Sequence, residues 1–80
     1  MLNVTITAVD KQLFSGDVYA VTCPGSDGEF TVLANHMPFI STLGKGEVRI
    51  VEYKEGDSKK VFAIEHGILE IANNKAVILV

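Results

Sequence analysis

No apolar run in this 80-residue chain goes far before it meets residues that turn the backbone. Ser15-Gly16, Pro24-Gly25-Ser26-Asp27-Gly28, Asn35-His36-Met37-Pro38, Gly44-Lys45-Gly46, Glu55-Gly56-Asp57-Ser58, Glu65-His66-Gly67 and Asn73-Asn74 punctuate it almost to its end. Between these breaks apolar and polar residues alternate: Val4, Ile6 and Ala8 with Asn3, Thr5 and Thr7, then Val48 and Ile50 with Glu47 and Arg49. Period two is the mark of a strand with one buried face. No window holds a helical period. Turn signals recurring every 8 to 12 residues or so favour an all-β sandwich or barrel.

Asp17 to Cys23 is apolar on both faces and reads as a central strand. Asp10-Lys11-Gln12 turns the first strand, and Leu13-Phe14 begins its return. Further strands are expected over residues 29–33, 39–43, 47–54, 60–64, 68–72 and 75–80. Asp27-Gly28 supplies the positive φ a hairpin needs, and Asn73-Asn74 tolerate the left-handed region. The stretch from Pro24 to Ile50 concentrates this punctuation, with four of the seven glycines, both prolines and one of the two histidines.

Residues 1–80 make one domain, short enough that folding buries only about 60% of the unfolded surface. An apolar fraction of 48% suffices for a core and argues against disorder. The net charge of −3 gives no reason to bind nucleic acid, and Lys59-Lys60 reads as a solvated strand entrance. Cys23 is the one cysteine, so no internal disulfide forms and a reducing compartment fits; it reads as a small buried hydrophobe. The first residues alternate and soon carry charge, unlike a signal peptide, and no run nears the roughly 20 residues that span a bilayer. A soluble protein able to sit beside a membrane, without direct insertion, is expected.

Candidate chemistry is sparse. His36 and His66 lie 30 residues apart without the i, i+2 spacing of a strand-built metal site. Ser41, His36 and Asp27 carry no nucleophile motif. The glycines lack a following Lys-Ser/Thr and a helix, so they are turn residues and not a phosphate cradle. Lys45 lies between glycines without the methionine of a swinging-arm hairpin, and most of the phenylalanines and tyrosines sit in strand runs that read as core. What remains is a binding module. Glu29, His36 and Met37 lie beside turns, where a rigid β scaffold projects side chains outward. From composition alone Met37 reads equally well as a core plug, with His36 capping a loop.

The run Gly28-Glu29-Phe30-Thr31-Val32-Leu33-Ala34-Asn35-His36-Met37-Pro38, followed by Gly46-Glu47-Val48-Arg49-Ile50, resembles the N-terminal domain of the epsilon subunit of bacterial F-type ATP synthases. Phe14-Ser15-Gly16-Asp17-Val18 and His66-Gly67-Ile68-Leu69-Glu70-Ile71 are similar to two further family segments, so the likeness covers nearly the whole chain in register. Ala34-Asn35 stands where Pro-Gly is usual, Met37 where Ala is usual, Gly44-Lys45-Gly46 where Lys-Pro-Gly is usual, and Thr31 in place of a common glycine.

The resemblance implies a two-sheet β-sandwich of roughly ten short, mostly antiparallel strands. It implies a non-catalytic central-stalk subunit that links the gamma subunit to the c-ring and supports proton-driven ATP synthesis, with the alpha/beta catalytic head as an indirect partner. No catalytic residue, cofactor or metal is implied. Positions matching Glu29 and His36 face the c-ring, and those matching His36, Met37 and Ser41 face gamma. The implied location is the cytoplasmic face of the bacterial inner membrane, held peripherally. The C-terminal helical domain usual in the family is absent from these 80 residues, so coupling without helix-extension inhibition or ATP sensing is expected.

Glu29 and His36 span up to about 24 Å if extended, so for both to meet the ring the chain bends at residues 35–38 or they touch different c subunits. Two readings of other classes stand beside this one: an unrelated peptide- or carbohydrate-binding sandwich, and a metal-dependent enzyme using His36 and His66. Binding to gamma separates the first from the rotor subunit, and metal analysis tests the second.

Overall fold

A computed structural model describes residues 1–53 and 59–80, and the hairpin loop expected at 55–58 lies outside them. The described residues form nine strands and no helix: β1 (Leu2–Thr7), β2 (Gln12–Val18), β3 (Ala20–Gly25), β4 (Gly28–Leu33), β5 (Phe39–Leu43), β6 (Gly46–Val51), β7 (Lys59–Ile64), β8 (Gly67–Ala72) and β9 (Lys75–Leu79). Among them, then, no helix is long and apolar enough to cross a membrane.

One hydrogen-bonded path, β2-β1-β9-β8-β5-β3-β6-β7 with β4 on the free side of β3, connects all nine. The path is almost cut in the middle. β5 and β3 meet through a single residue pair, Gly25 with Leu43, whereas their neighbours pair along most of their length. It therefore folds over into two layers, β2-β1-β9-β8-β5 and β4-β3-β6-β7. All pairings are antiparallel except that of β1 with β9.

Side chains from both layers fill one core: Leu2, Val4, Ile6, Leu69, Ile71 and Ile78 from the first, Val21, Cys23, Val32, Val48, Ile50 and Ile64 from the second. Period-two alternation places these residues inward, as the sequence pattern requires. The phenylalanines depart from expectation. None is fully buried; Phe14 meets Phe62 at 6.1 Å and Phe30 meets Phe39 at 5.7 Å, each pair joining one layer to the other. The core proper is aliphatic, and the rings close its flanks.

Asp17 to Cys23 is not one strand. β2 ends at Val18 and β3 starts at Ala20, with the Tyr19 amide donating to the Val51 carbonyl. The chain changes layer here, which places Val18, Ala20 and Val21 all inside. A run buried because it switches sheets and a run buried on both faces look alike in sequence.

Pro24-Gly25 belongs to β3, so the tight turn shrinks to Ser26-Asp27, with Gly28 at φ 137° opening β4. Ser15-Gly16 lies within β2 and Gln12 starts it. Among the described residues the other breaks fall where the sequence puts them: Asn35 (φ 63°) ends the turn after β4, and Asn73 and Asn74 (φ 52° and 60°) make the β8–β9 hairpin.

Candidate functional site

The outward faces of the two layers differ in chemistry. On the first, β5 pairs β8 with Thr42 opposite Ile68 and Ile40 opposite Glu70, and β8 pairs β9 with Ile68 opposite Leu79 and Glu70 opposite Val77. Ile40, Ile68, Val77 and Leu79 are all exposed, Ile40 at 68%. Diagonal neighbours on one sheet face are within reach of long side chains, so these four make a single apolar field around Glu70.

His36 and Met37 flank that field on the loop that enters β5. Met37 is 78% exposed, which excludes its reading as a core plug. The His36 ring is pinned: its Nδ1 bonds the Met37 carbonyl at 2.8 Å, and its centre lies 5.7 Å from that of the Phe39 ring in an edge-on arrangement. The loop is pinned too. The Asn35 amide donates to Asn74 Oδ1 at 2.7 Å, while Asn74 Nδ2 donates to the Met1 carbonyl at 2.6 Å. One side chain thus ties the loop, the β8–β9 turn and the N-terminus together. Ser41 is half-buried on β5 opposite Leu69, and its hydroxyl donates to the Thr42 carbonyl.

Glu29 faces elsewhere. It is the second residue of β4, and its carboxylate accepts from Arg49 of β6 on the outer face of the second layer. β3 runs between them, with Glu29 opposite Pro24 and Arg49 opposite Thr22. Thr22 and Thr31 share a hydroxyl hydrogen bond of 2.9 Å beneath the pair. Thr22, Glu29, Thr31, Arg49, Val51 and Lys59 line a shallow groove of about 290 Å³.

The expected bend is present. The turn at Ala34-Asn35 brings Phe39 back onto Phe30, the residue beside Glu29. His36 therefore stands with Phe39 on the seam between the layers, next in sequence to Ile40, and Glu29 stands with Arg49. Sequence reasoning missed Arg49 and the apolar field. Strand alternation marks Arg49, Ile68, Val77 and Leu79 as outward, but only the sheet order makes neighbours of them. Among the described residues no group of three or more His, Cys, Asp and Glu gathers to hold a metal ion, and His66 is exposed.

Comparison with known proteins bears on what these faces meet. The family model of the ATP synthase delta/epsilon chain β-sandwich domain matches residues 1–80. The ATP synthase epsilon chain of Caulobacter vibrioides is 41% identical over 78 residues, covering 98% of this chain and 87% of that one. That of Leptospira interrogans is 40% identical over 78 residues, and the chain spans 59% of its length. Among solved structures, the Euglena gracilis mitochondrial ATP synthase (OSCP/F1/c-ring) contains a chain that matches with a TM-score of 0.86 at 28% identity over 98% of this chain and 49% of that one. The central stalk/c-ring structure from Tetrahymena thermophila has the same fold, at a TM-score of 0.75 and 19% identity.

Proposed function

The chain belongs to the ATP synthase delta/epsilon family through its β-sandwich domain, and from that premise we propose that it is a non-catalytic subunit of the central rotor stalk, fixing the gamma subunit to the c-ring. Its work is mechanical. A stiff two-layer body carries one contact surface on each outer side and passes torque between partners without slip, supporting proton-driven ATP synthesis, with the alpha/beta head as an indirect partner. The epsilon chain is part of a membrane-bound complex; this chain sits peripherally on the cytoplasmic face of the bacterial inner membrane.

The observation that carries the reading is the apolar field of Ile40, Ile68, Val77 and Leu79 beside the His36-Met37 loop. A field this apolar on a free domain marks a protein contact. We assign it, with the His36-Met37 loop, to gamma, where buried apolar side chains supply most of the affinity; Ser41, expected at the same contact, faces inward opposite Leu69 and lies on the other side of β5 from this field. Glu29 on the other layer is assigned to the polar loops of the c-ring, and His36 borders both contacts.

Ile68→Glu tests the gamma assignment. The position is exposed, so the fold is expected to survive with thermal unfolding shifted by no more than a few degrees. Binding to gamma is expected to fall at least tenfold or so, as for a central apolar contact made to bury a charge. Undiminished gamma binding by both Ile68→Glu and Ile40→Glu would remove the field from the interface.

A further inference from the structure

We propose that Arg49 is the positioning residue for Glu29 at the c-ring contact, an inference that rests on the assignment of Glu29 to the ring. The two side chains leave different strands, β4 and β6, that are separated by β3. Two strand spacings of about 4.8 Å part their backbones, so the bond forms only because Arg49 stretches its long side chain over β3. β3 is low there. Thr22 and Pro24 are its outward residues between the two, and both are short. Lys59, the other cation that lines the groove among the described residues, leaves β7, one strand further off, where it pairs with Val51.

The pair contributes little to the fold. The Arg49 and Glu29 side chains are 44% and 54% exposed, and solvent screening leaves exposed ion pairs with little net worth to the fold. Its effect is on geometry. A glutamate at the start of an edge strand, two residues from a hairpin tip, otherwise samples several rotamers. Tied to Arg49 through Oε2, it is held along the outer face of β3. A carboxylate so engaged keeps acceptor capacity on Oε1, so a cationic or amide donor on a c-ring loop meets a pre-oriented oxygen. Fixing one flexible side chain in advance removes part of the ordering cost of binding.

The pair also sets what is accepted. An incoming donor must add to Arg49 at the carboxylate and not replace it, which disfavours a partner that presents its own carboxylate to the same groove. Arg49 is thus a positioning residue: Glu29 makes the contact and Arg49 determines where its oxygens lie.

The test uses the chain in complex with its gamma subunit, binding c-rings held in nanodiscs. Arg49→Gln is expected to weaken ring binding about two- to fivefold, in the range of exposed charge-pair couplings, with gamma binding and thermal unfolding unchanged. Glu29→Gln is expected to weaken it at least as much. Adding Arg49→Gln to Glu29→Gln is expected to cost nothing further, because a positioning residue has no effect once its target is gone. Arg49→Lys is expected to restore part of the loss, since it keeps the charge without the planar fork.

A loss from Arg49→Gln that persists in full in the Glu29→Gln background would overturn the inference and make Arg49 an independent contact. Loss with Glu29→Gln but none with Arg49→Gln would overturn it while leaving the ring assignment standing. No loss with Glu29→Gln would overturn both.

Discussion

Cys23 lies on β3 with no exposed surface, and burial pushes its thiol up to about 12 from 9.0. The neutral thiol is the form the core accepts, so the consequence has a definite sign. Below about pH 9 the thiol is neutral in both folded and unfolded chains, and its contribution is fully present. Between about 9 and 12 the unfolded chain ionises first, and stability falls by about 1.4 kcal/mol per pH unit from this one group. Urea unfolding of the protein and of Cys23→Ala isolates it from the lysines and tyrosines: the difference between the two is expected to hold constant up to pH 9 and to decline above it. At neutral pH the native thiol is expected to resist a disulfide reagent and to react stoichiometrically once unfolded; fast native reaction would contradict its burial.

Cys23 was legible as a buried hydrophobe because a lone cysteine beside an apolar run has few other readings. Glu29 was legible as a surface residue because a turn flanks it, whereas Met37 read equally well as a core plug until its exposure placed it outside. The Arg49 bond was not, since it depends on which strand lies between two others, and no local pattern carries that.

At the scale of elements, the hinge between the layers is the single meeting of Gly25 with Leu43. Gly25 faces Gly28 across the β3–β4 hairpin. A Cβ placed there would lie 2.6 Å from the Gly28 carbonyl oxygen and 2.7 Å from the Phe30 ring. The ring can shift at some cost, but the carbonyl is backbone inside a two-residue hairpin and cannot. Gly25→Ala is therefore expected to destabilise by about 2–4 kcal/mol, in the range of overpacking and backbone-strain effects, lowering the melting temperature by roughly 10 °C or more. Gly44→Ala is the control, because nothing lies within 4 Å of a Cβ there; it is expected to stay within about 1 kcal/mol of the parent. Equal melting temperatures for the two variants would mean that the corner yields.

Strand existence was readable from alternation, and turn placement from Gly, Pro and Asn. The layer switch at Tyr19 was not, because Val18, Ala20 and Val21 are buried by a change of sheet that imitates a central strand. Phe14, Phe30, Phe39 and Phe62 misled for a related reason. Their hydrophobicity marks them as core, but the space between layers is taken by Val, Leu and Ile, and the larger rings go to the flanks.

For the whole molecule, the two outer faces should answer differently to salt. The surface proposed for gamma is built from Ile40, Ile68, Val77 and Leu79, with Glu70 as its central charge. The surface proposed for the ring is built on the Glu29–Arg49 pair with Lys59 nearby. Raising ionic strength from about 0.1 M to 1 M shortens the screening length from about 10 Å to 3 Å. Attraction between exposed charges fades over that range, whereas apolar burial does not weaken with added salt and strengthens with sulfate or phosphate. Binding of the chain to the c-ring is therefore expected to weaken severalfold between these salt concentrations, with binding to gamma unchanged or slightly tighter. Measuring both on one preparation, by surface binding of gamma and of nanodisc-held rings, separates the faces without any mutation. A gamma contact that weakened in parallel with the ring contact would mean that charge governs both. The division of labour between the two layers would then fail, even with each residue's place in the fold unchanged.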